Sequence, residues 1–123
     1  MDFGWNEEQR LWRRTVRDFA QAEIAPRVRE IDTAERIPTE IVKGMADIGL
    51  LAPLVGEDYG GVGANWMMTA IAAEELGRAD ISLAVPVLFL VEAAWGFILD
   101  RYGTHELKEN VLPRVVKGQN FLG

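Results

Sequence analysis

The sequence predicts an all-α protein, a bundle of about five to six helices in one domain. Three observations carry this. Apolar residues recur at intervals of three and four, capping residues and glycines punctuate the segments so defined, and no long run alternates apolar with polar residues as a half-buried strand does. The 123 residues are enough for one domain with a genuine core and too few for two comfortable ones, and a hydrophobic content of 49% excludes a disordered chain.

Asn6 is placed as an N-cap, with Gln9 three residues later completing a capping box. Trp12, Val16, Phe19, Ala20 and Ile24 then recur at helical spacing, and Pro26 ends or kinks this helix. The charged stretch RVREIDTAERIP reads as a loop or a short helical extension. Pro38 opens a second helix in which Ile41, Met45 and Ile48 share a face and Gly49 fits a C-terminal cap. After a connection containing Pro53 and several glycines, Asn65 caps WMMTAIAAEELGRAD, whose first two turns are apolar nearly all round, as in a buried helix. Asp80 or Ser82 caps the next segment, running to about Asp100. Thr104 caps the last, HELKENVLPRVVKG, closed by Gly118, and QNFLG could begin a strand.

Composition removes several functions. The net charge of −6 and pI near 4.8 disfavour nucleic acid and anionic membrane surfaces. With no cysteine and a single histidine, His105, there is no disulfide framework, cysteine–zinc site, thiol nucleophile or His-rich metal site. The start MDFGWNEEQR lacks the basic start and apolar core of a secretory signal, so the cytoplasm is the expected location. Residues 81 to 99 carry one charge, Glu92, over nearly the ~20 residues of a membrane span. Pro86 and Glu92 lie inside, and a charge at mid-bilayer costs roughly 2.5–3.5 kcal/mol, so a buried central helix is expected instead.

The stretch VGEDYGGVGAN holds glycines at 56, 60, 61 and 63. A dinucleotide fingerprint fails because Trp66 stands where its third glycine belongs, and no lysine completes a Walker loop. A tight turn with Gly60 or Gly61 at positive φ is the better reading. Its neighbours carry more. Gly49-Leu50-Leu51, Glu57, Tyr59-Gly60-Gly61, Gly63, Glu74-Glu75-Leu76, Arg78, Asp80 and Ser82 follow in an order that resembles the acyl-CoA dehydrogenase family. EEQRLWRRTVRDFAQAEIAP is similar to that family's first helix, and YGTHELKENVLPRVVKGQNFLG to the helix leading into its middle domain. The resemblance covers essentially all of the chain.

It implies that residues 1–123 form the family's N-terminal helical domain, with the middle β-barrel and C-terminal helical bundle absent. The sequence stops where a flavin-binding TEP-GSD type segment is expected, and the family's catalytic glutamate lies in the C-terminal bundle. The ending QNFLG favours a cut inside a longer polypeptide. The family removes the α and β hydrogens of an acyl-CoA thioester: a carboxylate takes the α proton and flavin N5 accepts the β hydride. That chemistry requires a base poised near the working pH and a flavin held in a water-poor cleft. The chain is therefore expected to need FAD only together with the missing domains or a partner subunit, and to be inactive alone. It would contribute a wall of the acyl pocket, with Pro86, Phe89, Leu90 and Ala93 as the substrate-binding candidates by position. Core packing is the competing explanation for each. Expected partners are the acyl-CoA substrate, the remaining parts of the enzyme and further copies of itself. The alternative is a non-catalytic helical binding module that associates with a partner or with itself.

Single residues have plainer readings. Glu92, amid Val91, Ala93, Ala94 and Trp95, is placed on the wet edge of its helix or against an arginine; the sharper reading is a pocket residue with a raised pKa. Arg10, Arg13, Arg14 and Arg17 read as a solvated or partner-facing stripe, Glu75 and Arg78 as a surface bridge, and His105 as a surface residue. Trp5, Trp12, Trp66 and Trp95 read as core or interface anchors.

Overall fold

The computed structural model describes residues 1–123 and contains six α-helices and no strand. The capping box forms as the sequence predicts: the Gln9 N–H donates to the Asn6 side chain at 2.8 Å, and the Asn6 N–H donates to Gln9 Oε1 at 3.1 Å. Helix α1 runs over Glu7–Phe19. Pro26 cannot donate a backbone hydrogen bond, and the chain meets it by widening into a π turn at Ala20–Ile24 and tightening into a 3₁₀ turn at Ala25–Arg27. It then resumes as α2, Val28–Ala34, so the charged stretch is largely helical.

Pro38 sits just before α3, Thr39–Asp47, whose Ile41 and Met45 are buried. Gly49 follows at φ +81, the left-handed cap anticipated there. Asn65 caps α4, Trp66–Ala79, by accepting from the Met68 N–H at 2.9 Å. Helix α5, Ala84–Tyr102, starts beyond Leu83, which is held at φ +65. Both proposed cap residues act at its start. Asp80 accepts from the N–H of Ser82 at 2.9 Å and of Val85 at 2.8 Å, and Ser82 Oγ accepts from the Ala84 N–H at 3.4 Å. Helix α6, His105–Val116, is capped by Thr104.

The main core joins Val16, Ala20 and Ile24 of the first helical segment to Met45, Leu76 and Phe89. A second cluster, Ala52, Val55, Leu112, Val115 and Val116, fixes α6 against the connection between α3 and α4. Two expectations change. Helix α4 is not buried all round, because Trp66 and Met67 are exposed at its start. Helix α5 is not buried all round either. Val85, Pro86, Phe89, Ala93 and Gly96 face inward, whereas Val87, Leu90, Trp95 and Ile98 face out. The closing QNFLG forms no strand. A strand needs a neighbour to complete its ladder, and here the Leu122 N–H is taken by Glu92.

Candidate functional site

The outward face of α5 follows from helical spacing. Residues 87, 90, 94 and 98 lie on one stripe, and their neighbours 85, 89, 92, 93 and 96 turn inward. Val87 is 54% exposed and Leu90 49%, high for aliphatic side chains in the first half of a long apolar helix. Trp95, Ile98 and Tyr102 continue the stripe toward α6.

Two clefts flank it. One, of about 590 Å³, lies between α2, α3 and the start of α5; Ile31, Ile37, Val42, Ala84 and Leu88 line it, with Asp32, Glu35 and Arg36 charged at its rim and Phe121 across it. The other, of about 450 Å³, lies between α5 and α6, with Trp95, Ile98, Leu99, Leu107, Val111 and Leu122 around it.

The four acyl-contact candidates divide on this geometry. Leu90 faces out of the domain, while Pro86, Phe89 and Ala93 are buried within the chain's own packing. The outward residues Val87 and Ile98 and the cleft residue Leu88 were not singled out by sequence. The available signal was a second apolar stripe on α5, but a helix apolar on nearly every side does not say which stripe is turned out.

Glu92 is neither on a wet edge nor paired with arginine, which corrects the plainer reading. It is 1% exposed, and its two oxygens accept the Leu122 N–H at 3.0 and 3.3 Å. Burial pushes its carboxyl up, and the single amide donor offsets only part of that rise.

Glu75 is also 1% exposed and pairs across helices, not with Arg78. Arg13 Nε donates to it at 2.7 Å, and Arg17 donates through Nε and Nη2 at 3.0 Å each. Burial opposes ionisation, but the hydrogen bonds and charges of Arg17 and Arg13 outweigh it and hold the carboxyl below its usual range. Arg78 pairs with Glu74 instead, one turn away at 2.8 Å. Half of the basic stripe on α1 is therefore an internal clamp on α4. Trp12 strengthens it by donating from Nε1 to the Met68 carbonyl at 2.8 Å. His105 is a surface residue beside Glu109, and Trp66 and Trp95 are exposed.

The glycine stretch is a turn. Gly60 and Gly63, not Gly61, take positive φ, at +85 and +61. Gly61 is required for a different reason: a Cβ there would lie 2.0 Å from the Val55 carbonyl oxygen. The four glycine N–H groups are engaged within the chain, by Asp100, Glu57, Gly56 and Val55. They leave no row of free amides to cradle a phosphate, so this loop does not fit the pyrophosphate of a flavin dinucleotide. No group of three or more His, Asp or Glu residues is arranged to hold a metal ion, and no helix is long and apolar enough to cross a membrane.

The six-helix domain thus turns one apolar helix face outward. A family model described as the acyl-CoA dehydrogenase N-terminal domain matches residues 6–119. The chain is 35% identical over 121 residues to the short-chain specific acyl-CoA dehydrogenase of Clostridium acetobutylicum, covering 98% of this chain and 32% of that protein. It is 42% identical over 108 residues to the cyclohex-1-ene-1-carbonyl-CoA dehydrogenase of Syntrophus aciditrophicus, covering 88% and 26%. A glutaryl-CoA dehydrogenase from Mycobacterium smegmatis, solved in complex with FADH2, superimposes with a TM-score of 0.85 at 26% identity, over 95% of this chain and 30% of that one. The chain belongs to the acyl-CoA dehydrogenase family, to whose N-terminal domain it corresponds. It spans about a third or less of the length of these relatives.

Proposed function

We propose that residues 1–123 act as the N-terminal helical domain of an FAD-dependent acyl-CoA dehydrogenase and form a wall of its acyl pocket. The β-barrel and C-terminal bundle would come from the rest of the enzyme or from a partner subunit. The observation that carries this reading is the outward apolar stripe of α5, centred on Val87 and Leu90, in a chain of this family. Its likeness to relatives named for acyl-CoA substrates supports the substrate class.

In this reading Leu90 contacts the acyl chain, and Pro86, Phe89 and Ala93 hold it in place from behind through the packed inner face of α5. The flavin supplies the hydride acceptor when bound. This chain contributes an apolar surface that keeps water from the reacting carbons and orients the thioester's tail. Its two buried glutamates are not free to take the α proton: Glu75 is held by Arg13 and Arg17, and Glu92 is buried on the inner face of α5 against the Leu122 N–H. The chain alone is thus inactive. We infer the cytoplasm as its setting, where CoA thioesters would be met, and homo-oligomers as its assembled form, as its exposed apolar faces favour.

The test is Leu90→Asp in the enzyme assembled from this chain and the remaining domains. A desolvated charge against an acyl chain lowers kcat/KM by about tenfold or more while flavin content stays the same. An unchanged kcat/KM would overturn the wall assignment. The same stripe also serves a non-catalytic binding module that covers it with a partner or a second copy. A purified chain that self-associates, and that the remaining domains fail to displace, would favour that second reading.

A further inference from the structure

Residues 121 and 122 are neighbours in sequence but belong to different clefts. Phe121 reaches the cleft formed by α2, α3 and the start of α5, beside Ile37 and Leu88. Leu122 reaches the cleft between α5 and α6, beside Trp95 and Val111, and packs on the cluster of Ala52, Val55 and Leu112. The segment after α6 is therefore a partition, and a slip of one residue would exchange its two side chains between the clefts.

One side chain ties this segment to the body of the domain. Glu92, buried on α5, aims both carboxylate oxygens at the Leu122 N–H. No cation lies within ion-pair distance of it, and no other side chain or amide donates to it. A buried carboxylate held by one backbone donor is a costly arrangement for stability alone, since an apolar residue of similar size would fill the same space. It is a good arrangement for anchoring the segment, because with the Leu122 N–H held on Glu92 the side chains of Phe121 and Leu122 are directed to different clefts.

We propose that Glu92 is a positioning residue that anchors residues 120–123 through the Leu122 amide, so that Phe121 borders one cleft and Leu122 walls the other. Its role is that of an acceptor, and it is independent of whether the chain works in a flavoenzyme.

Amide exchange and side-chain NOEs of the 123-residue chain test this. In the wild type the Leu122 amide exchanges roughly tenfold or more slowly than that of Phe121 after correction for intrinsic rates, as a charge-assisted bond requires. Leu122 shows NOEs to the cluster of Ala52, Val55 and Leu112 on which it packs. Glu92→Gln keeps an acceptor oxygen and preserves both signals. Glu92→Leu loses the protection and the NOEs, with the Leu112 and Val115 amides unchanged. Retained protection and NOEs in a folded Glu92→Leu would overturn the proposal, as would equal loss in the Gln and Leu variants. If Glu92→Leu does not fold, the remaining two proteins still decide: an unprotected Leu122 in the wild type, or lost protection in Glu92→Gln, refutes the role.

Discussion

Replacing both Arg13 and Arg17 by methionine would strand Glu75. The carboxylate is 1% exposed, and all three of its close donors belong to these two side chains. Methionine keeps the aliphatic stems that lie along α4 and removes only the charges. Leaving a buried ion without its partners costs about 3–5 kcal/mol. For a domain of this size, that lowers Tm by roughly 10–20 °C. Either single substitution leaves one arginine in place and costs less than half as much. Adding Glu75→Leu to the double variant removes the stranded charge and recovers most of the loss.

The pH dependence also changes sign. In the wild type the Glu75 carboxyl is held below its unfolded value. Its contribution is present above the unfolded pKa and fades as pH falls through the folded one. In the double variant only desolvation remains, the folded pKa lies above the unfolded one, and stability improves as pH falls through that interval. Urea unfolding of the five proteins across acidic to neutral pH measures both effects. A double variant within about 1 kcal/mol of wild type, or a triple variant no more stable than the double, would refute the clamp.

Three further outcomes follow from the same geometry. Because burial raises the folded pKa of Glu92, its ionisation works against folding as pH rises from the unfolded value through the folded one; the advantage of Glu92→Gln over wild type in urea should grow across that interval and level off above it. Gly61→Ala drives a methyl onto the Val55 carbonyl and should cost at least about 2 kcal/mol, whereas Gly77→Ala, where nothing lies within 4 Å, should stabilise by up to about 1 kcal/mol through helix propensity; paired melts check both. Phe89→Ala opens a cavity in the main core and should cost about 3–5 kcal/mol, while Leu90→Ala, facing out, should change stability by no more than about 0.5 kcal/mol, which denaturant midpoints distinguish.

What the sequence revealed was mostly local. Asn6, Asn65 and Thr104 are caps because their side chains reach backbone groups three residues away, a relation that spacing alone displays. Gly49 and Gly118 end their helices by taking positive φ, at +81 and +72, which glycine does without strain. The order of motifs around the glycine turn pointed to the family. The partners of the buried carboxylates were not legible, because they come from 58 and 62 residues away for Glu75 and 30 for Glu92. Arg78 stood nearer in sequence, but Arg13 and Arg17 face Glu75 across the helix pair. Nor could periodicity orient α5, since apolar residues cover both its faces and only packing against α4 and α6 decides which one is left out. Leu83 at φ +65 was hidden for a related reason: nothing about a leucine signals a left-handed residue, and the bonds from Asp80 on either side hold it there.

The proposed wall of an acyl pocket can be tested in an assembled enzyme. The most direct measurement is to co-express the chain with the remainder of the Clostridium acetobutylicum relative, the part this chain does not match, and follow flavin absorbance as acyl-CoA is added. The expected result is a yellow complex that acyl-CoA bleaches, with bleaching weakened by Leu90→Asp and flavin content unaltered. A stable complex that holds flavin but is not bleached by any acyl-CoA the intact relative accepts, or a chain that never joins that remainder, would contradict it.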